Sequence, residues 1–339
     1  MTNPISPAHV SRRQIFGAAA ALAAASALPR ARAAAPQHSS KRVLRFAHPT
    51  DIHVQPELNG GEGMASCFKH MMDLAEPPEL IICGGDLPMD TGSTPEDRSR
   101  IEWELFKQTI AKTVPPSLPI KYAIGNHDIF GRDKSACKAT GNEPFYGKNW
   151  FLQNFGYERT WQSFNQKGWH FVILDSIDLL PDGDEFACRI VGEQLEWLRA
   201  DLAAAGDTPT VVVTHAPIVS VSNYFDKDDE EWVTAGPDLA VSTKRMHVDC
   251  RELDALFQKH RNVKLCLSGH LHLLDTCMYN GVTYICDGAV SGAKWRGPKR
   301  QTPEGYGLID LFEDGTFRHE YKTFGWKAEP GHKKLKKGA

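Results

Sequence analysis

Short apolar runs recur along the chain, and a polar cluster follows each of them. The runs are 43–47, 80–83, 120–124, 171–174, 210–214, 264–267, 283–286 and 307–311. Their length and bounded pattern predict buried β-strands. Segments 100–112, 192–205 and 250–260 repeat apolar residues at helical spacing and predict helices. Strands that alternate with helices predict an α/β fold whose helices lie outside packed sheets.

Two long segments interrupt this rhythm. Segment 131–168 is rich in Gly, Asn and aromatic residues, and segment 219–248 is polar and contains the acidic run 226–231. Long segments without predicted structure inside a compact domain usually serve a function. We expect these two to determine which substrate is bound.

The first 35 residues predict an export signal. Arg12 and Arg13 precede an alanine-rich apolar stretch that ends near residue 28, and an Ala-x-Ala pattern follows at 31–33. This order is typical of a cleaved secretory leader, and the paired arginines indicate the twin-arginine variant. The apolar stretch is shorter than the roughly 20 residues of a membrane span. We therefore expect a periplasmic or secreted protein without a stable membrane anchor.

Composition fits one globular domain after the leader. The 339 residues are 41% hydrophobic and 24% charged, which is ordinary for a globular protein. We predict a leader at 1–35, a domain at 40–325 and a basic, solvated tail at 326–339. The leader holds four arginines and no acidic residue, so its removal changes the formal charge from −3 to about −7. This charge argues against nucleic acid as a bulk partner.

The eight cysteines contain no C-x-x-C pair, so zinc-ribbon and thioredoxin-like sites have no support. Cys83, Cys266 and Cys286 lie in apolar runs and are expected to be small core residues. The other five leave a disulfide open.

Five of the predicted strands are followed by side chains that bind metals. The motifs are Asp51-Ile52-His53, Gly85-Asp86, Gly125-Asn126-His127-Asp128, His215 and Gly269-His270-Leu271-His272. Sites in α/β sheets form at the carboxyl ends of strands, so we expect these groups to converge. Each motif alone is compatible with an ordinary turn or a hydrogen-bonded histidine. The five together, each behind an apolar strand, indicate a site.

The residue types indicate divalent metals. Carboxylate, imidazole and amide oxygen together favour Mn, Fe or Zn. On an extended chain, Asp51 and His53 point the same way and can reach one ion, and His270 and His272 share that geometry. The flanking glycines are expected to let the backbone turn sharply.

Over about residues 43–290, these motifs resemble the full series of the calcineurin-like metallophosphoesterases. The resemblance implies a four-layer α/β/β/α sandwich with a centre of two divalent ions. It implies two metal-binding groups that share one bridging carboxylate: Asp51, His53 and His272; Asn126, His215 and His270; and Asp86 between them. His127 would face the substrate and bind no metal.

The resemblance also implies a reaction, the hydrolysis of phosphate esters. Two ions about 3.5–4 Å apart clamp a phosphoryl group and lower the pKa of a bridging water, and the resulting hydroxide attacks phosphorus. His127 is the candidate transition-state stabiliser and general acid.

Two departures from the family pattern narrow the function. Protein phosphatases carry Gly-Asp-x-x-Asp-Arg-Gly, whereas residues 85–90 read Gly-Asp-Leu-Pro-Met-Asp. Asp90 is one residue late, so the partner that orients His127 stays open, and a protein phosphatase is disfavoured. Purple acid phosphatases carry a tyrosine ligand where this chain has Met89, so a tyrosinate–iron colour is not expected.

The remaining resemblance is to the bacterial branch that includes class III cyclic nucleotide phosphodiesterases, and the run 288–297 is similar to that broader group. Lys294, Trp295 and Arg296 could line the substrate mouth, with Trp295 stacking on a base and Arg296 contacting phosphate. Arg132 is a further candidate. A plain surface loop is the alternative.

We favour a phosphodiesterase that acts on a small phosphate ester and is exported by the twin-arginine machinery. A nonspecific periplasmic phosphomonoesterase is the second candidate. A non-catalytic metal-binding protein of the same fold has less support, because the ligand set is complete. An iron oxidoreductase has none, because no flavin, haem or iron–sulfur motif is present.

Overall fold

The apolar runs form the strands of two β-sheets in the computed structural model, which describes residues 40–181, 185–224, 233–235 and 238–329. In chain order the strands are β1 (Arg42–His48), β2 (Leu80–Cys83), β3 (Ile120–Tyr122), β4 (Gln162–Gln166), β5 (Trp169–Ile173), β6 (Ile177–Leu179), β7 (Phe186–Cys188), β8 (Thr210–Val213), β9 (Val233–Ala235), β10 (Asp238–Ala240), β11 (Val263–Ser268), β12 (Asp275–Tyr279), β13 (Val282–Cys286), β14 (Gly305–Phe312) and β15 (Phe317–Thr323). The predicted leader, the acidic run 226–231 and residues 330–339 of the predicted tail lie outside the described residues.

Each sheet has a block of parallel strands, which antiparallel strands flank on one side in the first sheet and on both sides in the second. The first has the order β15-β14-β1-β2-β3, and β1, β2 and β3 run parallel. The second has the order β12-β13-β11-β8-β5-β4, and β13, β11, β8 and β5 run parallel. Short hairpins pair β6 with β7 and β9 with β10. The predicted metal motifs follow β1, β2, β3, β8 and β11, and each of these strands belongs to the parallel part of its sheet.

Alternation along the strands sends one set of side chains between the sheets and the other set outwards. Phe46 of β1 meets Phe171 of β5 between the sheets, with ring centroids 5.5 Å apart. Its neighbour Ala47 lies in the outer core of the first sheet. In β8, Val211 faces inwards and Val212 faces outwards. The two sheets therefore pack face to face.

Helices cover the outer faces. They are α1 (Gly60–Met72), α2 (Glu96–Thr113), α3 (Lys134–Cys137), α4 (Asn149–Phe155), α5 (Gly192–Ala205) and α6 (Cys250–Lys259), with 3₁₀ turns at Glu57–Asn59, Asn126–Asp128 and Ser222–Tyr224. Phe68 of α1 and Trp103 of α2 pack on the first sheet. Leu198 of α5 and Phe257 of α6 pack on the second. These four layers confirm the predicted α/β/β/α sandwich. Among the described residues, no helix is long and apolar enough to cross a bilayer.

Two features differ from the sequence expectations. Helix α1 had no sequence signal, because it begins with Gly60 and Gly61 and glycine is a poor helix former. Segment 131–168 was expected to lack regular structure, yet it contains α3, α4 and β4, so that expectation was wrong. The sequence left a disulfide open, and the structure contains none, because all eight cysteines are free thiols.

The first and the last strands of the described residues meet at a buried carboxylate. Asp287 Oδ2 lies 2.7 Å from His48 Nδ1, and Asp287 Oδ1 lies 2.7 Å from His319 Nε2. His48 is in β1 and His319 is in β15. Burial lowers the pKa of His319, but the charge and hydrogen bond of Asp287 outweigh burial and raise this pKa above its ordinary value.

We expect His319→Gln to destabilise the protein in a pH-dependent way. A raised pKa in the folded state contributes stability that is present below the unfolded pKa of about 6.5 and is lost as pH rises through the folded pKa. The loss in unfolding free energy should be about 1.5–3 kcal/mol at acidic pH and should shrink at alkaline pH. Urea unfolding at both pH values measures it. His70→Gln is the control, because burial lowers the pKa of His70 and the sign reverses. An equal loss at both pH values would contradict the ion pair.

Candidate metal centre

Loops after β1 and β11 bring the first predicted ligand group together. His53 Nε2 lies 3.1 Å from His272 Nε2, and His272 Nε2 lies 3.3 Å from Asp51 Oδ1. All three side chains are buried or nearly so. Three ligand atoms therefore face one point.

The second predicted group lies beside the first. His215 Nε2 is 3.2 Å from Asn126 Oδ1 and 3.2 Å from His270 Nδ1. Asp86 connects the groups, because its Oδ2 lies 3.5 Å from His53 Nε2 and 3.2 Å from His215 Nε2. One carboxylate oxygen thus faces both groups.

The spacing of these atoms fits metal ions. Ligands bound to one ion at about 2.0–2.2 Å lie about 3.0–3.6 Å from one another. The contacts between neighbouring ligand atoms given above fall in this range. Asp51 Oδ1 is buried and has no hydrogen-bond partner. Such an oxygen is costly to bury unless a cation meets it. These residues are therefore able to hold divalent ions.

The four histidines are oriented by backbone carbonyls. Each donates its outer N–H at 2.6–3.2 Å, and the pairs are His53 with Met89, His215 with Gly84, His270 with Lys244 and His272 with Gly292. The hydrogen bond fixes the tautomer and leaves the inner nitrogen lone pair directed at the centre. Nothing in the sequence identified these carbonyls, because a backbone acceptor has no residue signature.

The electrostatics of the centre favour a cation. Burial lowers the pKa of His215, but the charges of Asp86 and Asp51 outweigh it and raise this pKa to about 10. Burial and the charge of His215 lower the pKa of His270 to about 3. The carboxylates therefore stabilise one positive charge on this pair of imidazoles, at His215, while His270 stays neutral. A divalent ion can supply that charge and leave both rings neutral.

Five ligand residues have left-handed backbone conformations. The φ angles are 53° at Asp51, 45° at His53, 54° at Asp86, 69° at His270 and 58° at His272. Such angles are uncommon outside glycine, cost about 1–3 kcal/mol each and concentrate at functional sites. The expectation that Asp51 and His53, and likewise His270 and His272, converge on an extended chain was therefore wrong. They converge on left-handed turns.

The motif glycines provide space. A Cβ atom on Gly125 would lie 2.2 Å from Asp86 Oδ1, and one on Gly269 would lie 2.2 Å from Asp51 Oδ2. Neither glycine has a positive φ. Their role is close approach of the ligand carboxylates. Gly85 is the motif glycine with a positive φ, 96°, and there the backbone turns as the sequence predicted.

Asp128 is a positioning residue that the sequence analysis left without a role. Its fully buried carboxylate accepts hydrogen bonds from the N–H groups of Asp86, Leu87 and Gly125 at 2.7–3.0 Å. It thereby joins the loop after β2 to the loop after β3. Its position as the last residue of the Gly-Asn-His-Asp motif was the available signal.

His127 lies beside the ligand groups, and one of its ring nitrogens is within 4.8 Å of ligand atoms of His53 and Asp86. Its Nδ1 lies 3.3 Å from Asp90 Oδ1, at ion-pair distance but without hydrogen-bond alignment. Its Nε2 lies 3.4 Å from Lys294 Nζ. The ring packs edge-on against His53, with centroids 4.8 Å apart. Both ring nitrogens therefore face other side chains. Asp90 is therefore the residue placed to orient His127. The sequence had left this partner open, because Asp90 stands one residue later than in the family pattern.

A cleft of about 460 Å³ opens above the centre. Its lining is mainly polar and cationic, and comprises Asp86, Asn126, His127, Arg132, Phe186, Lys244, Arg245, His270, Leu271, His272, Ala293, Lys294 and Lys299. Arg132 lies where the sequence analysis expected a substrate contact. Lys244, Arg245 and Lys299 were missed, because no motif surrounds them. A larger groove of about 690 Å³ lies between α1 and α2 and contains none of the predicted site residues.

One predicted substrate contact is wrong. Trp295 is 1% exposed and donates its indole N–H to the carbonyl of His53 at 2.9 Å. It also packs on Trp326, with ring centroids 5.5 Å apart. It supports the metal loop and cannot stack on a base. Arg296 is exposed and does not line the cleft, and its contact with phosphate stays a prediction. Lys294 contributes the cationic side chain from this run.

Comparisons with known proteins agree with this geometry. The sequence profile of the calcineurin-like phosphoesterases matches residues 44–274. A probable cyclic nucleotide phosphodiesterase of Synechococcus sp. is 25% identical over 286 residues, covering 82% of this chain and 91% of that protein. A 3',5'-cyclic-nucleotide phosphodiesterase of Nostoc sp. is 24% identical over 292 residues, covering 82% and 92%. In fold, the chain is similar to a dimetal phosphatase from Danio rerio, with a TM-score of 0.56, 13% identity and coverage of 84% and 97%.

We expect metal to stabilise the protein through both groups. Reloading metal-stripped protein with Mn²⁺ should raise the melting temperature by about 5 °C or more, because ligand binding stabilises the folded state. Asp51→Asn should remove about one ion per chain and reduce this gain. Asp90→Asn is the matched control and should retain its ions. Elemental analysis and thermal unfolding measure both effects. Unchanged metal content in Asp51→Asn would contradict the first group.

Proposed function

This chain belongs to the calcineurin-like phosphoesterase family, and on that premise we propose that it hydrolyses phosphate esters at a two-ion centre, with phosphodiesters favoured. The observation that carries the proposal is the position of Asp86. Its Oδ2 faces His53 of one ligand group and His215 of the other. A carboxylate oxygen that faces both ligand groups would be able to contact two neighbouring ions at once, as in sites whose ions lie about 3.5–4 Å apart.

When bound, two divalent ions would lower the pKa of a water molecule and polarise the phosphoryl oxygens. The ligands would be the seven predicted ones: Asp51, His53 and His272; Asn126, His215 and His270; and Asp86. Carboxylate oxygens, an amide oxygen and imidazole nitrogens together suit Mn, Fe or Zn. Met89 offers His53 its backbone carbonyl, and its side chain has no phenolate to give an iron charge-transfer colour.

Two side chains of the protein, His127 and Asp90, are assigned to the side of the phosphorus from which the leaving oxygen departs. His127 is placed at the cleft with Nε2 directed inwards, and Asp90 opposes its Nδ1. His127 Nε2 lines the cleft in which a leaving oxygen would lie, 3.4 Å from Lys294 Nζ. We assign His127 as general acid and Asp90 as its positioning residue.

The preference for diesters has two supports. The relatives with cyclic nucleotide phosphodiesterase names cover most of this chain. The chain also lacks the Asp-Arg-Gly sequence of protein phosphatases. A phosphomonoesterase is the second candidate, and the cationic cleft favours it because a monoester carries more negative charge than a diester. A non-catalytic protein has less support, because the ligand groups and His127 are all present.

We also propose that the protein is exported by the twin-arginine machinery to the periplasm or beyond, without a stable membrane anchor. The support is the order of Arg12, Arg13, the apolar stretch and the small-residue pattern at 31–33. A twin-arginine substrate is exported folded, which suits an enzyme that holds ions in a buried centre. Cell fractionation after replacement of both arginines by lysine tests this proposal, and unchanged export would oppose it.

We expect metal-dependent turnover of bis-p-nitrophenyl phosphate in preference to p-nitrophenyl phosphate. Stripping the ions should lower the rate at least about 100-fold, because the nucleophile depends on them. Mn²⁺ should restore it. Release of p-nitrophenolate measures both esters. Preference for the monoester would favour the phosphomonoesterase, and no turnover with any divalent ion would favour the non-catalytic protein.

We expect His127→Ala to keep its ions but to lose about 100- to 10,000-fold in kcat on a diester with a phenolate leaving group, because general acid catalysis contributes on this scale. The loss should be smaller for p-nitrophenolate, which leaves without a proton. Asp90→Asn should give a smaller loss of the same kind. His260→Ala, at the end of α6, is the control. Equal rates for His127→Ala and the wild type on the phenyl ester would remove His127 from the mechanism.

A further inference from the structure

We propose that Arg132 and Lys294 form a subsite for a second anionic group, which the substrate carries on its leaving-group side. The subsite rests on the proposed function, because it is defined relative to a phosphoryl group held at the metal centre. The substrate class is a phosphodiester or diphosphate ester whose leaving group bears its own negative charge.

Lys294 lies at the mouth of the centre. Its Nζ is 3.4 Å from His127 Nε2, and its backbone is held in the left-handed region with φ 55°. Its ammonium has no ion pair among the described residues, although it lines the cleft. Burial lowers the pKa of Lys294 from its ordinary value, and the nearby charges of Asp86 and Asp90 only partly oppose this. A bound anion would complete the surroundings of this half-buried ammonium.

Arg132 lines the same cleft. Its guanidinium lies over the ring of Phe186, 5.5 Å from the centroid, and against Gly92, where a Cβ would come within 3.0 Å of Nη2. The Nε atom is buried without a hydrogen-bond partner. No ion pair of Arg132 exists within the described part of the chain. The guanidinium of Arg132 is thus held in place by packing, while its Nε–H has no acceptor. This is expected of a group that binds a ligand.

Other cations of the cleft are already engaged. Lys244 forms an ion pair with Glu185, and Arg245 Nε donates to Asn223 Oδ1 at 2.8 Å. These contacts hold the loop around the cleft. They distinguish Lys244 and Arg245 from Arg132 and Lys294, whose head groups lie near Asp90 but form no ion pair at contact distance with any described residue.

The position of the two cations indicates the leaving-group side. Lys294 Nζ lies 3.4 Å from His127 Nε2. Arg132 packs against Gly92, whose N–H donates to Asp90 Oδ1, and the same oxygen lies 3.3 Å from His127 Nδ1. His127 is the residue that meets the leaving oxygen. A diester phosphoryl group has a single negative charge, which the two ions already offset. Two further cations beside His127 therefore match a second negative charge on the departing group.

The reaction itself is ordinary hydrolysis. The water oxygen forms a bond to phosphorus, and the bond between phosphorus and the leaving oxygen breaks. The leaving oxygen takes the electron pair of that bond and accepts a proton from His127 Nε2, and the proton that the attacking water loses restores His127 for the next turnover. The products are a phosphomonoester and an alcohol or phosphate that carries the second anionic group. The net reaction consumes one water, and no oxidant or reductant takes part.

The test compares two diesters that differ only in the charge of the leaving group. Methyl 3-carboxyphenyl phosphate and methyl 3-carbamoylphenyl phosphate are similar in size, and only the first has an anionic leaving group. We expect the Mn²⁺-loaded full chain to prefer the carboxylate by about tenfold in kcat/KM, the scale of one charge-assisted contact. Arg132→Gln and Lys294→Gln should each bring this ratio towards one. Lys294→Arg should retain it, and Arg296→Gln is the matched control outside the cleft.

The outcomes separate the subsite from the proposed function. A wild-type ratio near one, with metal-dependent turnover of both esters, would overturn the subsite and leave the proposed function intact. A parallel loss on both esters in Arg132→Gln and Lys294→Gln would place these cations on the reacting phosphoryl group and also overturn the subsite. No turnover of either ester would overturn the proposed function and the subsite together. Melting temperature and metal content confirm that each variant is folded and loaded.

Discussion

Two buried carboxylates determine the organisation of this molecule. Asp51 and Asp86 are almost fully shielded from solvent, and an ionised carboxylate in the interior is very costly unless positive charge or hydrogen bonds meet it. One oxygen of each is satisfied by the protein, through Thr50 and His270 for Asp51 and through the His127 N–H for Asp86. The other oxygen of each faces imidazoles. The strained turns and closely packed glycines around them are explained by this requirement, because they let several loops approach one small region.

The sequence predicted the parts of the site that follow from topology. Carboxyl ends of parallel strands meet at one edge, so ligands from Asp51 to His272 could be assigned to one place without any coordinates. It did not predict how the ligands turn, because a left-handed φ at His53 or His270 is imposed by contacts that are distant in sequence. Trp295 was misassigned for the same reason. An aromatic residue in a glycine-rich run is typical of a surface loop, and its burial depends on Gly63 and Trp326.

Spacing in the sequence was also an imperfect guide to spacing in the structure. Asp90 is one residue later than the family pattern, yet it reaches His127, because Gly92 and Ser93 donate to its side chain and hold a tight turn. Helix α1 shows the opposite case, in which tertiary packing forms a helix despite poor local propensity. The cations of the cleft come mostly from loops outside the motifs. Metal binding is thus encoded in short motifs, whereas recognition is encoded in loop positions that only the fold brings together.

The pairing of β1 with β14 has a consequence for the timing of assembly. β1 leads directly to Asp51 and His53, so these ligands leave the ribosome early in synthesis. Their strand acquires its antiparallel neighbour only when β14 is made, and the indole that holds the His53 carbonyl is itself locked by Trp326 near the far end of the chain. The first ligand group therefore reaches its final shape only after β14 and Trp326 have been synthesised. An ion held by this group would bind late in folding, because before that point the nascent chain presents these side chains as separate, weak ligands.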